Sequence, residues 1–290
     1  MLKLLYTLIN TNLFISIAAV ALTFETQVQL GMKPQLHPYL LLIFFATLFE
    51  YNLHRLITVI TNKEALNTDK HRWVKQHLFL FYMVVVISVI GFLWAVLYAD
   101  KKVLFALGPI GLITIFYSVP VFKTKKNIFR LREIPCLKIF LISFVWSSST
   151  IFLPVIQSAA THNITNIMVM LVERFLFVFA ITIPFDIRDM KADERQGLKT
   201  IPVLIGKTSA LIVANIILLL FLILCIQHYK NTSLLWLNYA FLFSAVSTFI
   251  FINNKKLQSK HFYHYGILDG TMLLQGFLVL LFYYLQTLIQ

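Results

Sequence analysis

Long apolar runs alternate with short polar breaks along this chain. The runs fall at about residues 4–24, 38–60, 78–98, 103–122, 134–156, 165–185, 208–228, 232–252 and 266–288. A helix needs about 20 apolar residues to cross the hydrocarbon layer of a bilayer, and each run approaches or exceeds that length. The pattern predicts an all-α, polytopic membrane bundle of about nine transmembrane helices. No inserted linker or low-complexity stretch divides the chain, so residues 1–290 are expected to form one integral membrane domain.

The polar breaks differ in charge. Lys3 and the breaks after runs two, four, six and eight hold 18 Lys and Arg, whereas the breaks on the other side hold four: Lys33, Lys101, Lys102 and Lys230. Basic loops stay in the cytoplasm, which predicts a cytoplasmic N-terminus and an external C-terminus in a bacterial inner membrane.

Composition agrees with this reading. The chain is 59% hydrophobic and 13% charged, too apolar for a soluble domain of this size. Its net charge of +13 follows from the topology, and no loop shows a nucleic-acid-binding repeat of aromatic and basic residues, so no nucleic-acid partner is expected. Ala19-Val20-Ala21 resembles a signal-peptide cleavage site, but the apolar run continues to Phe24 and is read as an uncleaved first helix. Cys136 and Cys225 fall near opposite faces and are not expected to pair.

The most informative polar segment is Phe185 to Gly206, FDIRDMKADERQGLKTIPVLIG. Asp186, Asp189 and Asp193 are spaced three and four apart, which places them on one face if the sixth helix continues. Three carboxylates at a membrane surface need compensation, and a divalent cation carrying a diphosphate supplies it.

Other polar residues interrupt the runs. Glu50, Asn52, His54 and Arg55 lie at the end of the second run, where an interior site or a helix-pairing contact of Glu50 with Arg55 or His54 would avoid lipid. Glu173 and Arg174 are expected to play a structural part, pairing across helices or with Arg174 snorkelling toward the outer face. Asp269 either faces the interior or caps a helix start. His261 and His264 lack the pattern of a metal site. Lys123 belongs to a basic cluster suited to anionic lipid. Gly197 and Gly206 suit tight turns around the aspartate loop.

Asp186-Ile187-Arg188-Asp189, Asp193, Gly197, Lys199-Thr200-Ile201-Pro202-Val203 and Gly206 together resemble the second aspartate-rich motif of the UbiA-type intramembrane prenyltransferases. Tyr117-Ser118, Pro120 and Lys123 resemble the end of that family's fourth helix. The resemblance implies a helical bundle around a central cavity. It implies Mg²⁺ held by Asp186, Asp189 and Asp193, which form the catalytic metal–diphosphate site. It implies further that Asn52, Arg55, Tyr117, Lys123, Arg188 and Lys199 bind substrate. The reaction implied is transfer of an isoprenoid group from a prenyl diphosphate to a lipophilic acceptor such as a quinone precursor, a haem or a lipid. Neutralising the diphosphate makes it a leaving group, and a water-poor cavity with aromatic walls protects the allylic cation. The 27 Phe and 12 Tyr can line such a cavity, and they equally suit lipid-facing surfaces.

The family's first motif is an Asn followed by aspartates at four-residue spacing. Here Asn52 is followed by Leu56 and Ile60, which cannot bind metal. Two outcomes stay open: Arg55 and His54 contact the diphosphate in place of one ion, or the chain binds prenyl lipid without transfer. A transporter is a third class, but no inverted repeat or Gly/Pro-broken helix pair supports it.

Overall fold

The apolar runs become helices whose large side chains remain partly exposed, Leu97 at 78% and Phe105 at 81% among them. That is the surface expected of a bundle solvated by lipid. The computed structural model describes residues 2–61, 69–118, 122–123, 128–129, 131, 134–158 and 160–289. At residues 2–3, 61, 69–71, 122–123, 128–129 and 289 it describes the backbone alone.

In chain order the elements are α1 (Leu2–Asn10), α2 (Leu13–Gln29), α3 (Pro38–Thr61), α4 (Asp69–Gln76), α5 (Leu78–Tyr98) and α6 (Lys101–Ser118). A two-residue antiparallel hairpin follows, β1 (Phe122–Lys123) and β2 (Ile128–Phe129). Then come α7 (Leu137–Gln157), α8 (Ile164–Arg195), α9 (Ile201–Tyr229), α10 (Leu237–Asn253) and α11 (Lys255–Gln258). A π-helical turn (Tyr263–Leu268) leads directly into α12 (Asp269–Ile289). Among the described residues seven helical segments are long and apolar enough to cross a membrane, and the bent pair α1–α2 makes an eighth. The 17-residue α10 is the shorter ninth apolar segment.

Two run boundaries differ from the sequence expectation. The first run is not one straight span: α1 and α2 meet at 78°. The cause is the polar triplet Asn10-Thr11-Asn12. Asn12 adopts a left-handed backbone at φ 62°, a conformation that asparagine tolerates better than most residues. The eighth run begins only at Leu237, because Thr232 and its neighbours form turns.

α8 packs against α7 and α9, and α2 packs against α12, α3 and α7. The α2–α12 contact is close: a Cβ on Gly276 would lie 2.6 Å from the Ala21 carbonyl. Small residues let helix backbones approach in this way inside a membrane. Gly206, at φ 80°, kinks the first turns of α9, a backbone only glycine adopts without strain.

At the bundle end away from the aspartates, a buried polar network joins the helices. Arg174 of α8 is 1% exposed. Its Nη2 donates to Glu25 Oε1 at 2.8 Å and to Gln29 Oε1 at 3.2 Å, and its Nη1 to Leu22 O and Thr150 Oγ1, both at 2.9 Å. Gln275 of α12 donates a second bond to Glu25 Oε1 at 3.0 Å. Next to Arg174, Glu173 pairs with His228 Nδ1 of α9 at 2.9 Å. The expected cross-helix pairing of Glu173 and Arg174 is therefore present, to separate partners.

Candidate active site

α8 continues unbroken through Asp186, Asp189 and Asp193 to Arg195, so the three carboxylates do share a face. Asp193 sits in the last turn, where the helix dipole is negative and a carboxylate is disfavoured. A cation offsets that cost from the neighbouring helix. The loop after α8 folds back so that the Lys199 carbonyl accepts from Cys136 N at 3.1 Å. This anchors the start of α7 and places Lys138, in its first turn, against the aspartates. Lys138 Nζ lies 2.8 Å from Asp186 Oδ1, 3.5 Å from Asp193 Oδ2 and 3.9 Å from Asp189 Oδ2.

A second cation comes from α8 itself. Arg188 Nε donates to Asp189 Oδ1 at 2.8 Å and Arg188 Nη2 to Asp189 Oδ2 at 2.9 Å. Its guanidinium also lies over the rings of Phe185 (5.3 Å) and Tyr265 (5.0 Å). Arg55 of α3 approaches the same Tyr265 ring at 5.5 Å, and its Nη1 donates to Asn10 O at 3.3 Å. The π-helical turn carries Tyr265, and such turns often mark functional positions because they redirect side chains.

These groups surround the mouth of a cavity of about 830 Å³. Lys138, Arg188, Arg55 and Arg72 line it with the three aspartates; deeper in, the wall is Tyr51, Trp146, Ile142, Val178, Ile181 and Met272. The chamber thus combines a charged rim with an apolar interior. That suits a molecule with an anionic head and a hydrocarbon tail.

The donor set fits a magnesium ion that arrives with a phosphorylated ligand. Three carboxylates already converge on one cation, Lys138, and supply the hard oxygen ligands that Mg²⁺ prefers. No three acidic, His or Cys side chains among the described residues stand close enough to cage an ion by themselves. Mg²⁺ does not require such a cage, since it commonly takes one or two carboxylates plus waters and phosphate oxygens.

Residues 71–262 match the model of the UbiA prenyltransferase family. The chain belongs to that family.

The UbiA fold is shared with solved structures. A UbiA homolog from Archaeoglobus fulgidus bound to GPP and Mg²⁺ superposes with a TM-score of 0.62 at 15% identity, over 94% of this chain and 98% of that one. The apo UbiA homolog from Aeropyrum pernix K1 gives 0.60 at 12% identity, over 94% and 98%. A digeranylgeranylglyceryl phosphate synthase gives 0.55 at 15% identity, over 97% and 96%. At these identities the likeness concerns the fold. None of the curated proteins matches the sequence. As a member of this family with long apolar helices, the chain is a multi-pass membrane protein.

The residues expected to build the UbiA site are only partly brought together. Asp186, Asp189, Asp193, Arg188, Arg55 and Tyr117 line the cavity. Asn52 does not. It is fully buried; its Nδ2 donates to Thr11 O at 2.9 Å and Leu48 O at 2.7 Å, while its Oδ1 accepts from Asn12 Nδ2 at 3.0 Å. Its amide is thus turned to the α1–α2 bend, and it shapes the rim without facing the chamber. Lys199 is exposed and off the cavity wall, contributing its carbonyl instead. The Lys123 side chain lies outside the described residues. Leu56 is buried and Ile60 is 61% exposed.

Glu50 turns to neither Arg55 nor His54 in the expected pairing; Ser118 Oγ donates to its Oε1 at 2.5 Å. Asp269 lines the cavity and also opens α12, so both of its expected places hold. Sequence reasoning missed Lys138. The available signal was a lone cation within the fifth apolar run, which membrane helices rarely carry without a function.

Proposed function

We propose that this chain is an intramembrane prenyltransferase that moves an isoprenoid group from a prenyl diphosphate to a lipophilic acceptor. The observation that carries the reading is the convergence of Asp186, Asp189 and Asp193 on one cation at the mouth of a cavity with an apolar interior. Related structures bound GPP or DMAPP together with Mg²⁺, which agrees with this assignment. On this reading the aspartates hold Mg²⁺ and the diphosphate lies among Arg188, Arg55 and Lys138, with Tyr117 on the wall beside it. When bound, Mg²⁺ would neutralise charge on the diphosphate and make it a better leaving group.

The arginines offer rigid, permanently charged forks to phosphate oxygens. As the allylic carbon–oxygen bond breaks, diphosphate leaves with the bonding pair. The rings of Tyr51 and Trp146 face the developing cation and exclude water. The acceptor forms the new bond to that carbon and gives up a proton. Positive-inside asymmetry orients the aspartate rim to the cytoplasm, with the N-terminus inside and the C-terminus outside.

The deciding experiment incubates purified protein with a panel of prenyl diphosphates and candidate quinone-precursor, haem and lipid acceptors, with and without Mg²⁺. Diphosphate release that depends on metal and acceptor supports the reading. Leu56 and Ile60, in place of metal-binding aspartates, favour a second one: a protein that binds prenyl lipid without turnover. Tight binding without release in the same assay would select it.

A further inference from the structure

Lys138 stands where a metal ion would be expected. Its ammonium is within 4 Å of a carboxylate oxygen from each of the three aspartates, closest to Asp186, which is 1% exposed. Arg188 is different: it binds Asp189 alone, through both oxygens, from the cavity side. Lys138 is thus the one cation the three aspartates share among the described residues.

We propose that Lys138 is a resident counter-cation that competes with the divalent ion for the aspartates and moves to the phosphate oxygens when that ion binds. The assignment rests on the prenyl-diphosphate reading for its second half only.

The argument is electrostatic and geometric. Three carboxylates beside a membrane interior are unstable without positive charge, so an empty site needs an internal cation. A divalent ion bound to the same oxygens would lie only a few ångströms from the ammonium, and like charges at that distance in a half-buried site repel strongly. The two cannot share the aspartates in this geometry. Lysine suits an exchange of this kind, because its charge is compact and its four-carbon stem is flexible. Lys138 projects from the first turn of α7 into the cavity, so phosphate oxygens at the rim lie within its sweep.

The exchange couples two ligands. Metal alone must displace Lys138 and leave it unpaired, so it binds weakly. Metal with diphosphate gives Lys138 a new partner, so each ligand strengthens the other, and the coupling is reciprocal. Removing the lysine charge therefore has opposite effects on the two.

The test uses the full chain in detergent, with Mn²⁺ as a spectroscopic stand-in for Mg²⁺ and geranyl diphosphate as the second probe. Without diphosphate, Lys138→Met should tighten Mn²⁺ binding about tenfold, equivalent to about 1.4 kcal/mol. Lys138→Arg, which keeps a fixed cation on the carboxylates, should not tighten it. At saturating Mn²⁺, Lys138→Met should bind geranyl diphosphate more weakly than wild type. A structural role would produce no gain in Mn²⁺ affinity, so unchanged or weaker Mn²⁺ binding in folded Lys138→Met overturns the proposal. Should that variant not fold, Lys138→Gln carries the same test, and failure of both to fold also overturns it. Tighter Mn²⁺ binding in a protein that binds no geranyl diphosphate, wild type included, would retain the counter-cation and overturn the prenyltransferase reading.

Discussion

Arg188 closes on Asp189 as a fork, Nε on one carboxylate oxygen and Nη2 on the other, at 2.8 and 2.9 Å. Asp189 is therefore committed twice, to Arg188 and more distantly to Lys138, before any ligand arrives. On the proposed reading, a metal ion taking Asp189 would free the Arg188 guanidinium for phosphate oxygens.

Asp189→Asn and Asp193→Asn should each weaken Mg²⁺-dependent geranyl diphosphate binding by about tenfold or more, a loss of at least ~1.4 kcal/mol. Both are expected to elute as folded protein on size exclusion. Unchanged binding in the two variants would assign the aspartates to structure alone.

Arg55→Leu should remove most geranyl diphosphate affinity, and Arg55→Lys should retain part of it, because only arginine offers a bidentate fork. Glu50 bonds Ser118, so it is not the group that neutralises Arg55. Combining Glu50→Gln with Arg55→Leu should then give additive stability changes in detergent unfolding. Recovery of stability in the double variant would reveal a direct pair and contradict the geometry.

Arg174→Leu should lower stability by about 3–5 kcal/mol, since it strands the Glu25 carboxylate inside the bundle. Arg174→Met combined with Glu25→Gln should recover much of that loss. Denaturant unfolding in detergent reads both.

A reporter fused after Arg195 should respond as cytoplasmic, and one fused after Gln290 as external. With the Arg195 fusion cytoplasmic, a cytoplasmic C-terminus would overturn the number of crossings.

The helices were legible because lipid imposes a simple rule, a sufficient length of apolar residues, and the runs met it. The aspartate face was legible because its residues lie on one helix at spacings that a helix converts directly into proximity. Lys138 was not, because its partners lie on another helix, and only the fold-back that joins Lys199 to Cys136 brings them together. The α1–α2 bend was hidden for a related reason. A window long enough to find a membrane span averages over Asn10, Thr11 and Asn12, which break the helix through backbone geometry and the distant Asn52. Asn52 shows the converse: motif position marks it as a site member, while its amide hydrogen-bonds within the protein to Asn12, Thr11 and Leu48.

The Glu25–Arg174 pair also constrains how this protein is made. Its members are 149 residues apart, so α2 leaves the ribosome well before its counter-charge exists. At ~5–20 residues per second the delay is on the order of ten seconds or more. A lone glutamate is a poor passenger in lipid, so α2 has to be sheltered by the insertion machinery or by water until α8 is threaded. The N-terminal span thus enters the membrane first and is secured late, and truncation before Arg174 should yield a chain that quality control removes.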